Sequence, residues 1–170
     1  MRSAIDVLPG HRSAGEPAVI ARPDNGERTS LTAGEVQSIL ARNNQACVRH
    51  SLAGVAQPMV CVRYAWHLGG LFVPAWTTLE PWYDELPRPV ECDVSEVDGH
   101  LWWRYVWLRG VATPLLPTGA QAEREGWRAG IAALRRRLPA LAATDQLALD
   151  NFGVVRVNIT SARGTVVACR

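Results

Sequence analysis

The sequence predicts a mainly β protein with peripheral helices, an α+β chain folded as a closed or partly closed β-barrel. Three observations carry that expectation. Segments of alternating apolar and polar residues recur along the chain, bounded by glycine and proline, as strands of an antiparallel sheet do. The elements run helix, three strands, short helix, two strands, long helix and one or two closing strands, an order that favours hairpins over parallel crossovers. The stretch LWWRYVWLRGVAT, residues 101–113, has two unlike faces when read with period two. Val106, Leu108, Gly110 and Ala112 make a small apolar face that tapers toward Gly110 and suits the cramped inside of a small barrel. Leu101, Trp103, Tyr105, Trp107, Arg109 and Val111 make the other, and rings of that size in one outward patch mark a partner or a ligand wall. A strand buried on both faces beneath a helix is the alternative.

Residues 1–29 are rich in proline, glycine and charge without periodicity, and are expected to be a mobile N-terminal segment. A functional arm and a tag or misplaced start both account for them. Residues 30–170 are expected to form the barrel domain. It opens at LTAGEVQSILARN, where Thr32 and Glu35 fit a capping box and Leu31 and Val36 a hydrophobic staple. Val36, Ile39 and Leu40 give that helix one apolar face. Three strand candidates follow, at about 46–53, 58–66 and 71–76, separated by Gly54 and by a Gly69–Gly70 turn. Pro74 is expected to end pairing or to mark an edge. TTLEPWYDEL reads as a short helix capped by Thr77, with Pro81 in its first turn. Residues 88–97 are a fourth strand and the aromatic stretch a fifth. Residues 118–138 form a helix with Trp127, Ile131, Leu134 and Leu138 on one face. Arg135, Arg136 and Arg137 suit its C-terminal dipole and read as a solvated helix end rather than a binding patch. FGVVRVNI and TVVAC close the fold as one or two strands.

With 170 residues, 48% of them hydrophobic, the chain can bury a core as one domain. A net charge of +2 gives no reason to expect nucleic acid. All eighteen basic residues are arginine, which removes Schiff-base chemistry and the phosphate-gripping ammonium. Cys47, Cys61, Cys92 and Cys169 are widely spaced with no C-x-x-C, so neither a zinc site nor a redox dithiol is expected. Residues 1–28 hold no apolar signal segment and no stretch approaches a membrane span, so the expectation is a cytoplasmic protein with free thiols and no membrane contact. His50, His67 and His100 do not make a metal spacing, and no glycine-rich phosphate loop, G-x-S-x-G or nucleophile–base pair is visible. Asp93, Glu96 and Asp98 read as solvating the end of the fourth strand.

Three stretches carry a family likeness in their order. LTAGEVQSILARN resembles an opening helix, QPMVCVRYAWHLGGLFVPAW a central hairpin, and WWRYVWLRGVAT a strand running W, x, three apolar residues, x, G. Together they resemble the flavin-binding split-barrel group, the pyridoxamine 5′-phosphate oxidase-like proteins, over about residues 31–168. That group includes flavin and deazaflavin oxidoreductases and nitroimidazole-resistance-type proteins. Each motif is common alone, and the ordered set is what carries the likeness.

The resemblance implies an FMN-binding-like split β-barrel that packs against a second copy as a homodimer, with a flavin in each of two clefts. Trp103, Tyr105 and Trp107 would then be dimer and cleft residues, consistent with aromatic enrichment at interfaces. The second strand, Val60, Cys61, Val62, Arg63 and Tyr64, would lie along the flavin ring with its main-chain groups. Arg63 would add positive charge, or else be a surface arginine. Trp76, Thr77 and Thr78 would hold the phosphate at a helix N-terminus, though both threonines also serve as plain caps. Tyr105 would reach the flavin across the dimer. The sequence departs from the family where a lysine or arginine and an Asn-Pro-like turn usually follow. TTLEPWYDELPRP instead brings Glu80, Asp84 and Glu85 toward the phosphate position, where Arg88 or an arginine of the other subunit would have to screen them.

The function this implies is an FMN-dependent oxidoreductase acting on a small aromatic substrate stacked in the cleft. No catalytic side chain need be visible, because the cofactor carries the chemistry. Two alternatives remain open. One is a split barrel with a degenerate flavin site that serves as a binding module. The other is an enzyme of specialised metabolism that uses the same cleft with the deazaflavin F420 or with no cofactor.

Overall fold

The computed structural model describes residues 28–52, 54–75, 86–98, 102–138 and 153–168. Its elements are β1 (Arg28–Ser30), α1 (Ala33–Arg42), β2 (Gln45–Arg49), β3 (Ser51–Leu52), β4 (Val55–Ala56), β5 (Val60–Arg63), β6 (Ala65–His67), β7 (Gly70–Ala75), β8 (Arg88–Asp98), β9 (Trp102–Leu115), α2 (Gln121–Arg137) and β10 (Gly153–Ala168). An eight-stranded antiparallel sheet runs β5-β2-β8-β9-β10-β7-β6, with β1 paired to the end of β10. A small β3–β4 hairpin stands apart from it.

The two ends of this sheet are neighbours in sequence. Val60–Val62 and Arg63 pair with β2, Ala65–His67 pair with β7, and only Tyr64 separates them. One chain segment therefore serves both edges, and the curled sheet closes at Tyr64. The curl leaves only short edges, with β5 paired to β2 alone and β6 to β7 alone among the described residues. Tyr64 is fully buried, its amide donates to the Asn44 carbonyl at 2.9 Å, and its hydroxyl donates to the Leu40 carbonyl at 3.0 Å. That last bond satisfies a carbonyl of the final turn of α1, where no intrahelical donor remains.

Inside the barrel, alternate residues of every long strand meet: Val48 and Val62, Leu71 and Val73, Cys92 and Val94, Leu108 and Ala112, Val155 and Val157. Val36, Ile39 and Leu40 of α1 join them. The capping box that starts α1 is formed, with Thr32 Oγ1 accepting from the Glu35 amide and the Glu35 carboxylate accepting from the Thr32 amide. A second core lies outside the barrel, where α2 packs Ile131, Ala133 and Leu134 against Ala65, Phe72, Leu115 and Val154. Gly130 permits the approach, since a Cβ there would lie 2.6 Å from the Phe72 ring. Trp127, Ile131, Leu134 and Leu138 share the buried side of α2, as their spacing predicts.

The structure differs from the sequence reading in several places. The hairpin turn between β6 and β7 uses Leu68 and Gly69, at φ 48° and 70°, and Gly70 already belongs to β7. Of the two expectations for Pro74 the edge holds, because β7 continues through it and it pairs with Val154 of β10. β6 reaches only as far as Phe72, so beyond that point β7 has a ladder neighbour on one side, which tolerates a residue without an N–H. The closing segment is a single strand with an irregularity between Ile159 and Ser161. Arg28, Thr29 and Ser30 pair with Val167, Val166 and Thr165, and the rest of the expected N-terminal segment lies outside the described residues. The short helix expected after Trp76 lies outside the described residues.

The turn supplies a first expected result. Two consecutive positive φ values make the type I′ geometry that favours Asn-Gly, and a leucine in the left-handed region costs roughly 1–2 kcal/mol. Leu68 is 69% exposed, so it gives up no core contact on replacement. Leu68→Asn should raise stability by about 1 kcal/mol, seen as a higher urea midpoint. An unchanged or lower midpoint counts against this account.

Glu96 supplies a second. It sits on β8 where α1 ends, and accepts from Arg42 at 2.9 Å, Arg104 at 3.0 Å and the Asn43 amide at 3.1 Å. Its side chain is 18% exposed. Burial alone would push its carboxyl up, but the bonds from Arg42, Arg104 and Asn43 outweigh that and hold it below its ordinary value. A depressed folded-state value means the contribution is complete above the unfolded value, near ~4.3, and is lost as pH falls through the folded one. Glu96→Gln should cost about 1–3 kcal/mol at neutral pH. The gap between wild type and variant should close progressively in more acidic urea titrations. A gap that persists undiminished at pH ~2 would contradict the charge-based explanation.

Candidate functional site

The outer faces of β5, β2, β8 and β9 form one continuous surface. Register fixes its rows. Cys61 lies opposite Cys47, Cys47 opposite Asp93, Asp93 opposite Trp107, and Trp107 opposite Arg163 of β10. The adjoining row runs Ser95, Tyr105, Thr165 and Ser30. On the other side come Arg49, Glu91, Arg109 and Ser161. Both helices bury their apolar residues elsewhere, α1 with the barrel interior and α2 against the β6, β7 and β10 side.

The aromatic residues of β9 divide as their alternation predicts. Val106, Leu108, Gly110 and Ala112 face inward and are buried. Trp103, Tyr105 and Trp107 face outward and are half-buried. Trp103 and Tyr105 stack with ring centroids 6.0 Å apart and an interplanar angle of 13°. The Arg109 guanidinium lies 4.4 Å from the Trp107 ring centre. Trp102, at the start of β9, is 47% exposed, and its cross-strand partner register runs to Asp98 and Ala168. Val97, opposite Trp103, is 53% exposed. The outer surface is thus aromatic in its middle and open at Val97, while Trp102 is exposed on the opposite side of β9 at the start of the strand.

Its charges are unequal in their partners. Arg109 pairs with Glu91 at 3.1 Å, and Arg49 with Asp93 in a very close contact. Arg63 bonds the neutral Asn44 side chain at 2.9 Å and has no carboxylate partner among the described residues. Arg163, across from Trp107, has none among them either. Two guanidinium groups with no carboxylate partner among the described residues therefore accompany an aromatic surface. Guanidinium groups recognise carboxylate and phosphate through paired donors.

The structure places the sequence-derived candidates as follows. Cys61 and Arg63 point to the outer surface, whereas Val62 is buried and Val60 packs partly against the interior. Tyr64 turns its ring into the core, where burial pushes its hydroxyl well above the usual tyrosine range. Tyr105 lies at the centre of the outer surface, three strands from β5 along the sheet path. Trp76, Thr77 and Thr78 lie outside the described residues, as do Glu80, Asp84 and Glu85. Sequence reasoning missed the Cys47–Cys61 juxtaposition and the Glu96 cluster, both made by residues far apart in the chain.

A second concavity, about 260 Å³, lies between α1, β6 and the end of α2, lined by Ala41, Trp66, His67, Arg136 and Arg137. Arg137 Nε has no hydrogen-bond partner among the described residues. The carbonyl end of α2 points its partial negative charge here, which opposes an anion and already accounts for the arginines. The aromatic surface is the stronger candidate. Among the described residues no group of His, Cys, Asp and Glu is placed to hold a metal ion, and no helix is long and apolar enough to cross a membrane.

No protein-family model matches the sequence, and no curated relative matches it. Solved structures do. A FAD-binding protein from Mesorhizobium loti aligns with a TM-score of 0.63 at 18% identity, covering 82% of this chain and 97% of that one. A Bacteroides thetaiotaomicron protein assigned to 5-nitroimidazole antibiotic resistance gives a TM-score of 0.64 at 14% identity, with 85% and 90% covered. A Corynebacterium glutamicum protein assigned as a pyridoxamine 5′-phosphate oxidase gives 0.57 at 14%, with 88% and 99% covered. The fold is that of the flavin-binding split barrels, in agreement with the sequence expectation.

Proposed function

We propose that this chain binds a flavin nucleotide, FMN or FAD, on its aromatic outer surface and acts as an oxidoreductase toward a small aromatic substrate. The observation that carries the reading is the pairing of Trp103, Tyr105 and Trp107 with Arg63 and Arg163, whose charge no described carboxylate neutralises. A flavin nucleotide has the complementary chemistry, a flat ring system joined to an anionic phosphate. Solved structures of the same fold include proteins that carry FAD in their names. We further propose that a second copy completes the cleft, because a surface this aromatic is unfavourable in water. Arg63 would hold anionic or electron-rich parts of the ligand, with Val60–Tyr64 beside the ring and Thr77 and Thr78 at the phosphate. When bound, a flavin supplies the electron or hydride transfer that no side chain here performs. The protein's own part is to bind, orient and keep water from the ring.

Titration of FMN and of FAD into the ligand-free protein, followed by flavin fluorescence, tests this directly. A saturable change is expected with at least one of them. Hydrogen bonds to a charged group contribute roughly 1.5–3 kcal/mol each. Replacing both Thr77 and Thr78 by alanine should therefore weaken binding by one to several powers of ten, at about 1.4 kcal/mol per power. Arg63→Ala should weaken it further. No saturable change with either flavin would refute the oxidoreductase reading and leave a split barrel that works as a binding module.

A further inference from the structure

We propose that Cys47 and Cys61 form a reversible cross-strand dithiol–disulfide pair that exchanges with small-molecule disulfides. The two residues are register partners on adjacent antiparallel strands. Both lie on the outer face, since their neighbours Ala46, Val48 and Val62 point inward. Their sulfurs are 2.9 Å apart, and among the described residues each thiol's hydrogen-bond contact is with the other. Directly opposed residues on antiparallel strands have Cα atoms ~4.5 or ~5.5 Å apart. Both separations fall within the ~4.4–6.8 Å that a disulfide spans. A bond of ~2.0 Å needs the sulfurs to close by only about 0.9 Å, a side-chain adjustment without backbone movement. The proposal does not depend on flavin binding.

The roles of the two sulfurs differ. Cys61 is exposed and Cys47 is half-buried. Burial, then the Cys61 hydrogen bond and the nearby Cys61 and Asp93 charges, push the Cys47 thiol up to about 12, so it is protonated at neutral pH. Attack therefore begins at Cys61. Its thiolate attacks one sulfur of RS–SR, the S–S bond breaks, and RS⁻ leaves. Cys47 then gives up its proton and attacks the Cys61 sulfur, expelling the second RS⁻. The protein loses two thiol hydrogens and two electrons, and RS–SR becomes two RSH. Excess small-molecule thiol reverses both steps.

Glutathione provides the test. The full-length protein is equilibrated across graded ratios of reduced to oxidised glutathione, and remaining thiols are capped with a maleimide. Intact mass and peptide mapping follow. The expected result is coupled loss of two thiols, with the Cys47 peptide joined to the Cys61 peptide. Cys47→Ser should stop at a stable glutathione adduct on Cys61, because the resolving sulfur is gone. Cys61→Ser should slow the overall thiol loss about tenfold or more. Cys169→Ser should leave the crosslink intact. Thermal melts followed by circular dichroism confirm that each variant is folded, which the outward facing of positions 47 and 61 permits for those two. Retention of both thiols in fully oxidised glutathione would overturn the proposal. So would a crosslink to Cys92 or Cys169, or an equally stable glutathione adduct on wild type and Cys47→Ser.

Discussion

Gly110→Val is expected to leave little folded protein, and Gly110→Ala to lower the melting temperature by about 5–10 °C. Gly110 lies inside the barrel on β9, in register with Val90 of β8 and Ile159 of β10. A Cβ built there would come within 2.5 Å of the Asn158 carbonyl oxygen and 2.9 Å of a Val157 methyl. The first of these is backbone in a paired strand and cannot rotate away. Relief requires β9 and β10 to separate, next to the irregularity between Ile159 and Ser161. Overpacking of this kind typically costs 1–3 kcal/mol, about 2–4 °C per kcal/mol for a chain this size. Valine adds two further methyl groups at the same point, in a protein whose total stability is expected to be only about 5–15 kcal/mol. Gly126→Ala is the control. It sits within α2, where a Cβ meets the Leu115 methyls at 3.4 and 3.5 Å, an ordinary contact. A helix-interior alanine should stabilise by roughly 0.5–1 kcal/mol. Thermal melts of the three variants settle the matter. If Gly110→Ala melts with wild type, the barrel has slack at β9 that these distances deny.

Gly110 was legible in the sequence because period-two alternation is enforced by burial. A strand with one face in a core cannot slip by one residue without exposing all its apolar side chains. The same rule separated Val106 and Leu108 from Trp107 and Arg109. The capping box at Thr32 was equally readable, since all its partners lie within one helical turn. What the sequence hid depends on register between distant segments. Cys47 and Cys61 look unrelated at wide spacing, yet the β3–β4 hairpin between them returns the chain so that β5 meets β2 residue for residue. Glu96 looked like a solvating end residue because Arg42 lies 54 positions away. Tyr64 read as a strand residue, and nothing local reveals that the ladder changes partners there. The Leu68–Gly69 turn was placed one residue late because a Gly-Gly pair attracts the assignment, whereas pairing of His67 with Gly70 decides it. For the candidate site, alternation gave the outward direction of Trp103, Tyr105 and Trp107, whereas the facing of Cys61 and Arg63 emerged only with the structure. That Arg63 and Arg163 have no carboxylate partner among the described residues could emerge only in three dimensions.

Trp107→Glu is expected to abolish both dimer formation and flavin affinity, the two properties proposed for the outer surface. Trp107 occupies the middle of the row that runs from Cys61 to Arg163, so any partner or ring on this surface meets it. Tryptophan at the centre of an interface commonly contributes 2 kcal/mol or more, which is a loss of about 30-fold or greater on truncation alone. Glutamate adds a second cost. Asp93, its neighbour on β8, would repel it, while Arg163, its neighbour on β10, would pair with it and no longer be free for an anionic ligand. An anionic ligand would meet the same repulsion. Folding should survive, because the barrel interior contains no atom of Trp107. The measurement is light scattering at micromolar concentration beside the flavin titration. Wild type should scatter as a dimer and bind flavin, while the variant should scatter as a monomer with affinity at least ~30-fold weaker. Trp107→Phe separates shape from charge, since it keeps an apolar ring and should retain most of both properties. A wild-type monomer would remove the shared cleft from the proposal. A dimeric Trp107→Glu would place the interface away from β9. In either case the aromatic row of β9 would have to act on ligands within one protomer, with Arg63 and Arg163 as its charges.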